Sequence, residues 1–432
     1  MSYLNFKFLK MELKKELEQR WFLYQASSDK LFSLYEKWNQ TLYCWFDPTA
    51  DSLHLWNFIG FMASVHFLRK NNKYIAIVWW ATGMIGDPGG KESERTFLDE
   101  ETLRKNEQSI RKQIWWLLKN IQAVTGEKLE YEVINNYDFF KDMSILEFLR
   151  EVGKYVTVNN MIKKDTVRKR VEDETKSISY TEFSYMLLQA YDFYKLYKDK
   201  QAKLQIGWQD QWWNLVTWIE LIRKKLDIQA YAFTFPLITD SNWKKFWKSE
   251  WNAIWLDKIK TSSFKLYQFL INTTDEDVEK YLKLLTFIDL KHIQDIIDQH
   301  NKEPEKRYGQ NVLAEKVVEI IHWKKDAENA KKISWFLFWK KDKMDILKSL
   351  DKEGIKDFQK EVWGKKYEWE DLLDLIVNTK LANSRWEAKK QIKAWSIFLN
   401  EEKIIDFSQD IDFKDNIALI RKGKKKYAII TK

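Results

Sequence analysis

Residues 43–57 constrain the fold more than any other stretch, because they read as a buried strand that passes through a turn into a helix. Tyr43 suits the end of the strand, and Asp47-Pro48-Thr49 is a turn or cap cluster. An apolar helix is expected from Phe58 to Phe67, with His54 near its start. A helix N-terminus that follows a strand presents free backbone N–H groups and binds anions readily. The stretch therefore predicts an anion site at the end of a strand.

Tryptophan stands at positions in this chain where the backbone requires glycine. Trp45 and Trp56 fall where a ligand needs close backbone approach, and Asn242-Trp243 falls where Asn-Gly would form a hairpin turn. The chain has 23 Trp and only 12 Gly, whereas an average glycine content of about 7% would give roughly 30. We hypothesise that most of these Trp are Gly in the functional protein, through a UGA codon translated as Trp. A truly Trp-rich protein is the alternative, and it does not explain the turn positions.

Two short motifs resemble a known family once glycine is placed at these positions. His54-Leu55-Trp56-Asn57 becomes His-Leu-Gly-Asn, a variant of the class I His-Ile-Gly-His motif. Lys245-Phe246-Trp247-Lys248-Ser249 becomes Lys-Phe-Gly-Lys-Ser, a form of the Lys-Met-Ser-Lys-Ser loop. In this order, and with the segments between them, they make the chain similar to the bacterial tyrosyl-tRNA synthetases from about residue 20 to the C-terminus.

The order of predicted elements favours an α/β fold. Residues 1–40 are expected to be helical, and apolar strand patterns at Tyr74–Val78, Lys203–Ile206 and Phe233–Thr239 alternate with helices. This alternation is typical of a parallel sheet, which binds ligands at the carboxyl ends of its strands. The resemblance implies a Rossmann-like parallel-sheet catalytic domain (1–240) with a dimer-forming insertion at about 125–180, a mobile signature loop and connector (241–262), a helical anticodon-binding domain (263–360) and a small C-terminal α+β S-four-type RNA-binding domain (366–432).

Three polar residues, Tyr185, Gln189 and Asp192, are spaced so that they share one face of a helix. Such spacing is by itself ordinary in amphipathic helices. The resemblance assigns Asp192 and Tyr43 to the phenolic hydroxyl of tyrosine, and Gln189, Tyr185 and Asp87 to its ammonium group. A substrate without the hydroxyl would leave a buried carboxylate unpaired and would therefore bind less well. Tyrosyl-tRNA synthetases are a standard example of this discrimination.

The resemblance also assigns residues to ATP. Thr49 and His54 would contact the γ-phosphate in the transition state, and Lys245 and Lys248 would be mobile cations for pyrophosphate, although two lysines in a Lys-rich chain also fit a solvated hairpin. These four are the expected catalytic residues. The full ATP-binding set is Asp47, His54, Asn57, Trp208, Asp210, Gln211, Lys245, Lys248 and Ser249, with Lys91 and Arg95 as pyrophosphate adjuncts.

Basic residues near the C-terminus could contact RNA phosphates, although a solubilising tail explains the last run equally well. The candidates are Arg385, Lys389, Lys390, Lys393, Arg421, Lys424 and Lys425. The net charge of +9 and a pI near 9.0 are compatible with a polyanionic partner.

The composition limits the remaining classes. Cys44 is the single cysteine, which excludes an internal disulfide framework and suits a cytoplasmic protein. No apolar run reaches the roughly 18 residues of a membrane helix, and no Cys/His spacing indicates a structural metal. The resemblance implies as partners tyrosine tRNA, L-tyrosine, ATP with Mg²⁺ and a second copy of the chain in a homodimer, and no membrane is expected.

Two alternatives remain open from the sequence. One is an RNA-binding, synthetase-like protein that has lost catalysis. The intact Tyr43, Asp87, Asp192, His54 and both loop lysines disfavour it. The other is a class I enzyme specific for tryptophan. Tyr43 and Asp192 instead favour a ring that carries a hydroxyl group.

The glycine hypothesis makes a direct prediction about codons. Trp212 and Trp255 match Trp in the family and should be encoded by UGG, whereas UGG at every Trp position would contradict the hypothesis. The positions expected to be UGA are Trp45, Trp56, Trp79, Trp80, Trp208, Trp213, Trp243, Trp247, Trp386 and Trp395.

Overall fold

The structure, a computed structural model, describes residues 11–37, 39–85, 98–162, 165–173, 177–237, 253–338, 343–423 and 426–432. The chain divides into two compact units. The first comprises Met1–Lys260 and Thr273–Gly309, and the second comprises Thr261–Asn272 and Gln310–Lys432. Among the described residues, no helix combines the length and the apolarity needed to cross a membrane.

A six-stranded sheet forms the centre of the first unit, in the order β1-β6-β5-β2-β3-β4. All neighbours are parallel except β1 and β6. The chain runs outward from β2 through β3 to β4 and then returns to β5 on the other side of β2. The carboxyl ends of β2 and β5 therefore flank a topological switch point, where open α/β sheets bind ligands. The strands are β1 (Gln25–Ala26), β2 (Thr41–Phe46), β3 (Lys73–Val78), β4 (Glu130–Asn135), β5 (Ala202–Trp208) and β6 (Tyr231–Phe235).

Helices cover the sheet, which confirms the predicted α/β class. The insertion is expected at about 125–180, but β4 (Glu130–Asn135) lies within that range and belongs to the sheet. The residues of this range that lie outside the sheet therefore follow β4. The helices are α1 (Leu13–Gln19), α2 (Lys30–Glu36), α3 (Leu55–Leu68), α4 (Trp80–Gly83), α5 (Glu100–Thr125), α6 (Tyr137–Phe140), α7 (Ile145–Glu151), α8 (Val158–Ile162), α9 (Asp165–Val171), α10 (Tyr180–Lys200) and α11 (Trp212–Leu226).

Two expectations from the sequence need correction. Residues 1–40 are not only helical, because β1 pairs antiparallel with β6 between α1 and α2. The strand expected over Phe233–Thr239 begins at Tyr231 and ends at Phe235. Pro236 follows it directly and has no N–H with which to continue the ladder.

Helices continue the chain after the last strand of the first unit, and α13 and α14 belong to that unit. A buried contact from the N-terminal region holds them there. The Arg20 guanidinium donates to the carbonyls of Lys283, Thr286 and Ile288 at 2.7–3.2 Å, while its charge is balanced by Glu16 at 3.3 Å. These helices are α12 (Ser263–Ile271), α13 (Asp275–Leu285), α14 (Leu290–Lys302), α15 (Tyr308–Ile321), α16 (Lys324–Phe338), α17 (Lys343–Ser349) and α18 (Lys352–Glu361).

The second unit contains a five-stranded sheet in the order β7-β11-β10-β8-β9, which confirms the small C-terminal α+β domain. Apolar residues from both sides of β10 and β11 enter two separate cores. Ala418 and Ile430 pack with α19 and α20, whereas Leu419 and Ile429 pack with Phe336 of α16 and its neighbours. The elements are β7 (Trp363–Lys366), α19 (Leu372–Asn378), α20 (Arg385–Lys393), β8 (Ile397–Leu399), β9 (Glu402–Lys403), β10 (Ile417–Lys422) and β11 (Lys426–Thr431).

Trp395 occupies the position that follows the C-cap of α20, where glycine is usual. Its φ is +56°, in the left-handed region. Its N–H donates to the Ile392 carbonyl at 2.9 Å, and the Ser396 N–H donates to the Gln391 carbonyl at 3.1 Å. These two bonds form a Schellman motif. Trp21 occupies the same position after α1 with φ +64°, so two helices end on a tryptophan where the backbone favours glycine.

Trp395→Gly should therefore raise the free energy of unfolding of the second unit by about 1 kcal/mol, because a left-handed backbone costs a non-glycine residue about 1–2 kcal/mol. The measurement is the midpoint of chemical denaturation.

Trp386→Gly is a matched control, since both indoles are exposed (57% and 72%) and each lies near a lysine. Because position 386 is inside α20, this change should lower stability by roughly 0.5–1 kcal/mol. Equal effects of the two substitutions would contradict the strain at Trp395.

Candidate active site

A cavity of about 260 Å³ lies at the carboxyl ends of β2 and β5, at the switch point. Cys44 lines it, and burial raises the pKa of this thiol to about 12, which leaves it protonated and a poor nucleophile. The cavity brings together Thr49, an expected catalytic residue, and six of the residues expected to bind ATP: Asp47, His54, Asn57, Trp208, Asp210 and Gln211.

His54 is the N-cap of α3 and fixes the wall of the cavity. The His54 N–H donates to Asn57 Oδ1 at 3.1 Å, and the Asn57 N–H reaches His54 Nδ1 at 3.4 Å, which is a reciprocal capping box. The helix therefore starts at Leu55, three residues before the expected start. An antiparallel bridge between His54 and Trp255 joins this N-terminus to the segment that follows the signature loop.

The four described residues expected to bind tyrosine are all buried in one place. Tyr43 stands on β2, and Tyr185, Gln189 and Asp192 stand on one face of α10. Each is at most 1% exposed. Among the described residues, the Tyr43 hydroxyl and both amide atoms of Gln189 have no hydrogen-bond partner. Because buried polar groups are almost always paired in folded proteins, these atoms are arranged for a polar ligand.

The Asp192 carboxyl is the ionisable member of this group. Its Oδ2 accepts a hydrogen bond from Asn136 Nδ2 at 3.2 Å. Burial raises the pKa of the Asp192 carboxyl well above its usual value, and the bond from Asn136 opposes that shift. Asn136 also accepts a bond from the Ala81 N–H at 2.9 Å, so its amide is locked against Asp192. In the sequence, Asn136 is recognisable only as part of a break between helices. That pattern does not indicate its hydrogen bond with Asp192.

Gln205 is a second residue that the sequence analysis missed. It stands on β5 directly beside Tyr43 of β2 and is fully buried. Neighbouring residues of a parallel ladder point to the same face of the sheet, so Gln205 lies on the Tyr43 face. Both of its amide atoms lack a partner among the described residues. Gln205 thus joins Tyr43 and Gln189 as a residue with unpaired buried polar atoms, and only the register of β2 with β5 reveals it.

Two stacked indole pairs fill space at the site. Trp45 and Trp79 stack at 4.9 Å within the core that contains Tyr43 and Tyr185. Trp56 and Trp208 stack at 4.2 Å, and both line the cavity. A Cβ on Gly207 would lie 2.4 Å from the Trp45 ring, so the wall is already packed against an indole. All four Trp are among those expected to be Gly.

Several expected site residues lie outside the described part of the chain. Within the described residues, no group of three His, Cys, Asp or Glu is arranged to hold a metal ion. The predicted residues that lie outside are Asp87, Lys91, Arg95, Lys245, Lys248, Ser249, Lys424 and Lys425.

The expected RNA contacts of the second unit differ in availability. Arg385 is held by Asp371, at 2.7 and 3.1 Å, and by Asp374, so its charge is already neutralised. Arg421 pairs with Glu401 at 3.2 Å and covers the Phe398 ring. The better placed cations are the exposed lysines of α20, namely Lys389, Lys390 and Lys393.

Comparisons with known proteins find two matching family models and many similar sequences. Residues 36–338 match the family of class I tRNA synthetases (W and Y), and residues 353–430 match the tyrosine--tRNA ligase SYY-like C-terminal domain. The chain is 41% identical to a tyrosine--tRNA ligase of Bacteroides fragilis (90% of this chain, 93% of the relative) and 40% identical to tyrosine--tRNA ligase 1 of Bacillus licheniformis (95% and 97%).

Solved structures give the same picture. A C-terminally truncated mitochondrial tyrosyl-tRNA synthetase of Aspergillus nidulans superposes with a TM-score of 0.70 and 29% identity, over 76% of this chain and 95% of that chain. The tyrosyl-tRNA synthetase of Archaeoglobus fulgidus, at 13% identity and a TM-score of 0.53 over 74% of this chain and 99% of that chain, shares the fold.

The raised pKa of the buried Asp192 carboxyl predicts how the stability of the folded protein depends on pH. A raised pKa in the folded state means that the native protein binds the proton more tightly than the unfolded chain. Stability is therefore lost as pH rises from the ordinary carboxyl pKa towards the raised one. Asp192→Asn should melt at a higher temperature than the unchanged chain at pH 7, and the difference should shrink towards pH 4. A gain of 1 kcal/mol corresponds to about 2–4 °C in a domain of 150–250 residues.

Asp199→Asn is the control, because Asp199 lies on the same helix, is exposed and pairs with Lys195 at 2.9 Å. It should not gain stability. Asp192→Asn melting at or below the unchanged chain at pH 7 would contradict the burial cost.

Proposed function

The chain belongs to the class I tyrosine--tRNA ligases, and from this premise we propose how its residues divide the work of the reaction. The enzyme activates tyrosine with ATP and transfers it to tRNA. In the first step a tyrosine carboxylate oxygen bonds to the α-phosphorus of ATP and pyrophosphate leaves. In the second step a terminal ribose hydroxyl of tyrosine tRNA attacks the carbonyl carbon and AMP leaves.

Tyrosine binds, in our proposal, between β2 and α10. The observation that carries this assignment is the cluster of unpaired buried polar atoms from Tyr43, Gln189 and Gln205 around the Asp192 carboxylate. Tyr43 and Asp192 bind the phenolic hydroxyl, and Asn136 orients Asp192. Tyr185, Gln189 and Asp87 bind the ammonium group. A substrate without the hydroxyl leaves these buried groups unpaired, which is costly and disfavours the tryptophan alternative.

ATP binds, in our proposal, in the cavity at the N-terminus of α3. Thr49 and His54 face the γ-phosphate, at the positive end of the α3 helix dipole. Lys245, Lys248 and Ser249 act from the signature loop, with Lys91 and Arg95 as adjuncts. Mg²⁺ enters with ATP, because the triphosphate supplies the oxygen ligands that it prefers. Catalysis is then positioning and electrostatic stabilisation of the leaving pyrophosphate.

We further propose that the functional enzyme has glycine at positions 45, 56, 79 and 208. The stack of Trp45 on Trp79 lies in the tyrosine cluster, and the stack of Trp56 on Trp208 lies in the nucleotide cavity. An indole buries about 150–250 Å², so each pair takes space that a substrate needs. If all four Trp are real, the second candidate function, an RNA-binding protein without catalysis, gains support.

Tyrosine-dependent exchange of pyrophosphate into ATP tests the function. The variant with Trp45→Gly, Trp56→Gly, Trp79→Gly and Trp208→Gly should exchange at least about 100-fold faster than the printed chain, because misplacement by about 1 Å already costs that much.

Trp255→Gly is the control: it also opens the cavity wall, but Trp255 matches Trp in the family, so no gain is expected. Fast pyrophosphate exchange by the chain that carries Trp at these four positions would contradict the hypothesis that they are Gly in the functional protein. Absence of exchange in both forms would favour the non-catalytic alternative.

We also propose that the first unit forms a homodimer through the segment between β4 and α10. Support comes from exposed apolar side chains there: Ile145 (68%), Leu146 (76%) and Val158 (56%), with Tyr180 (70%). Exposed apolar groups in a cluster are typical of interaction surfaces. A second copy supplies a matching apolar face by symmetry.

Leu146→Glu should convert the dimer into a monomer in light scattering. Ile405→Glu, at an equally exposed leucine-sized residue of the second unit (78%), should leave the mass unchanged. A monomeric unchanged chain would end the proposal.

The remaining assignments are proposals of the same kind. The second unit binds tyrosine tRNA through Lys389, Lys390 and Lys393, with Arg385, Arg421, Lys424 and Lys425 as further candidates. Residues 263–360 act as the anticodon-binding helices, and 366–432 act as the S-four-type module. A cytoplasmic location suits the single thiol of Cys44.

A further inference from the structure

Helix α5 holds the loop that precedes α3, although it contributes no residue to the cavity wall. Asn106 Nδ2 donates to the Pro48 carbonyl at 3.0 Å. Two turns later on the same face, Gln113 Oε1 accepts from the Leu53 N–H at 2.7 Å, and Gln113 Nε2 donates to Ser52 Oγ at 3.1 Å. The loop from Pro48 to Leu53 is thus fixed at both ends from one helix.

Ser52 extends this contact to a second segment. Its hydroxyl is 4% exposed and also accepts from the Asp257 N–H at 3.2 Å. The neighbouring Leu256 N–H donates to the Leu53 carbonyl at 2.8 Å. Gln113 therefore sits behind a network that joins the loop before α3 to residues 254–257, which follow the signature loop in the chain.

The loop held in this way carries groups of the nucleotide site. Thr49 lies inside it, and His54 comes directly after Leu53; both line the cavity. A shift of the loop would move both residues together, and the network would transmit it to the segment after Lys248. In a reaction driven by positioning, displacements of about 1 Å lower rates by about 100-fold.

We propose that Gln113 is a positioning residue for tyrosine activation, which acts through Ser52 and Leu53 to hold Thr49 and His54 in place. The inference rests on the proposed roles of Thr49 and His54 in binding ATP phosphates. Gln113 touches no substrate, so its loss affects the rate of the activation step and leaves the tyrosine end, between β2 and α10, intact.

Gln122 provides a control of the same chemistry on the same helix. Its Oε1 accepts from the Leu129 N–H at 2.9 Å, and like Gln113 it is half-buried. Each glutamine accepts a hydrogen bond from a backbone N–H outside α5. The partner of Gln113 precedes α5 in the chain, and the partner of Gln122 follows it. Only Gln113 reaches the loop of the nucleotide site, so a general structural effect would appear equally in both alanine variants.

The kinetic experiment compares Gln113→Ala, Gln113→Glu and Gln122→Ala in the form of the chain that exchanges pyrophosphate. Gln113→Ala should lower kcat for exchange by about 10–100-fold with the KM for tyrosine unchanged. Gln113→Glu keeps the acceptor for the Leu53 N–H and should recover part of that loss. Gln122→Ala should stay within about twofold of the unchanged rate. Equal losses in the two alanine variants, or a changed KM for tyrosine alone, would overturn the proposal.

Hydrogen exchange tests the same contact without activity. Gln113→Ala should speed amide exchange in peptides that cover 52–57 and 253–258, whereas Gln122→Ala should speed it only near 129. Unchanged protection at 253–258 in Gln113→Ala would refute the network even if the rate falls. If no form of the chain exchanges pyrophosphate, the proposed function fails, and the protection pattern still decides whether Gln113 holds the loop.

Discussion

The parallel pairing of β2 with β5 is the constraint on which the site depends. These strands are neighbours in the sheet but distant in the chain, because β3 and β4 are added on one side of β2 before β5 is added on the other. The connections leave their carboxyl ends in opposite directions and open a crevice. The same pairing sets Gln205 beside Tyr43, and it places Trp208 against the N-terminal turn of α3, where Trp56 stands.

The buried polar groups between β2 and α10 lower the stability of the empty protein, and in the proposed function they recognise tyrosine. A buried carboxylate and three side chains with unpaired atoms are costly when no ligand is present. The cost is tolerable because the surrounding core is large and apolar, with Phe193 packed on Tyr43. In the proposed tyrosine site, the same cost would favour a ligand that carries both a hydroxyl and an ammonium group, because such a ligand can pair with these buried groups.

The tryptophans occupy positions where the backbone favours glycine or where the proposed substrates need space. At the helix ends, Trp21 and Trp395 occupy left-handed positions. At the site, Trp45 of β2 stacks on Trp79, which follows the adjacent strand β3, and Trp56 of α3 stacks on Trp208 of β5. A left-handed backbone and close packing between neighbouring elements both favour glycine, which has no side chain. Trp45, Trp56, Trp79, Trp208 and Trp395 are among the residues expected from the sequence to be Gly, whereas Trp21 is not in that set.

The sequence by itself determined the α/β class, the strands β2 and β3 and the family, because these depend on local periodicity and short motifs, although it placed the start of α3 three residues too late. It also identified the Tyr185, Gln189 and Asp192 face, which needs only helical spacing. It did not identify Asn136 or Gln205, whose roles depend on residues 56 and 162 positions away in the chain. Only the tertiary structure decided that Arg385 is neutralised by its own neighbours and that Gln113 holds the loop before His54. Long-range pairing creates these contacts, and local sequence patterns contain no information about a partner that is remote in the chain.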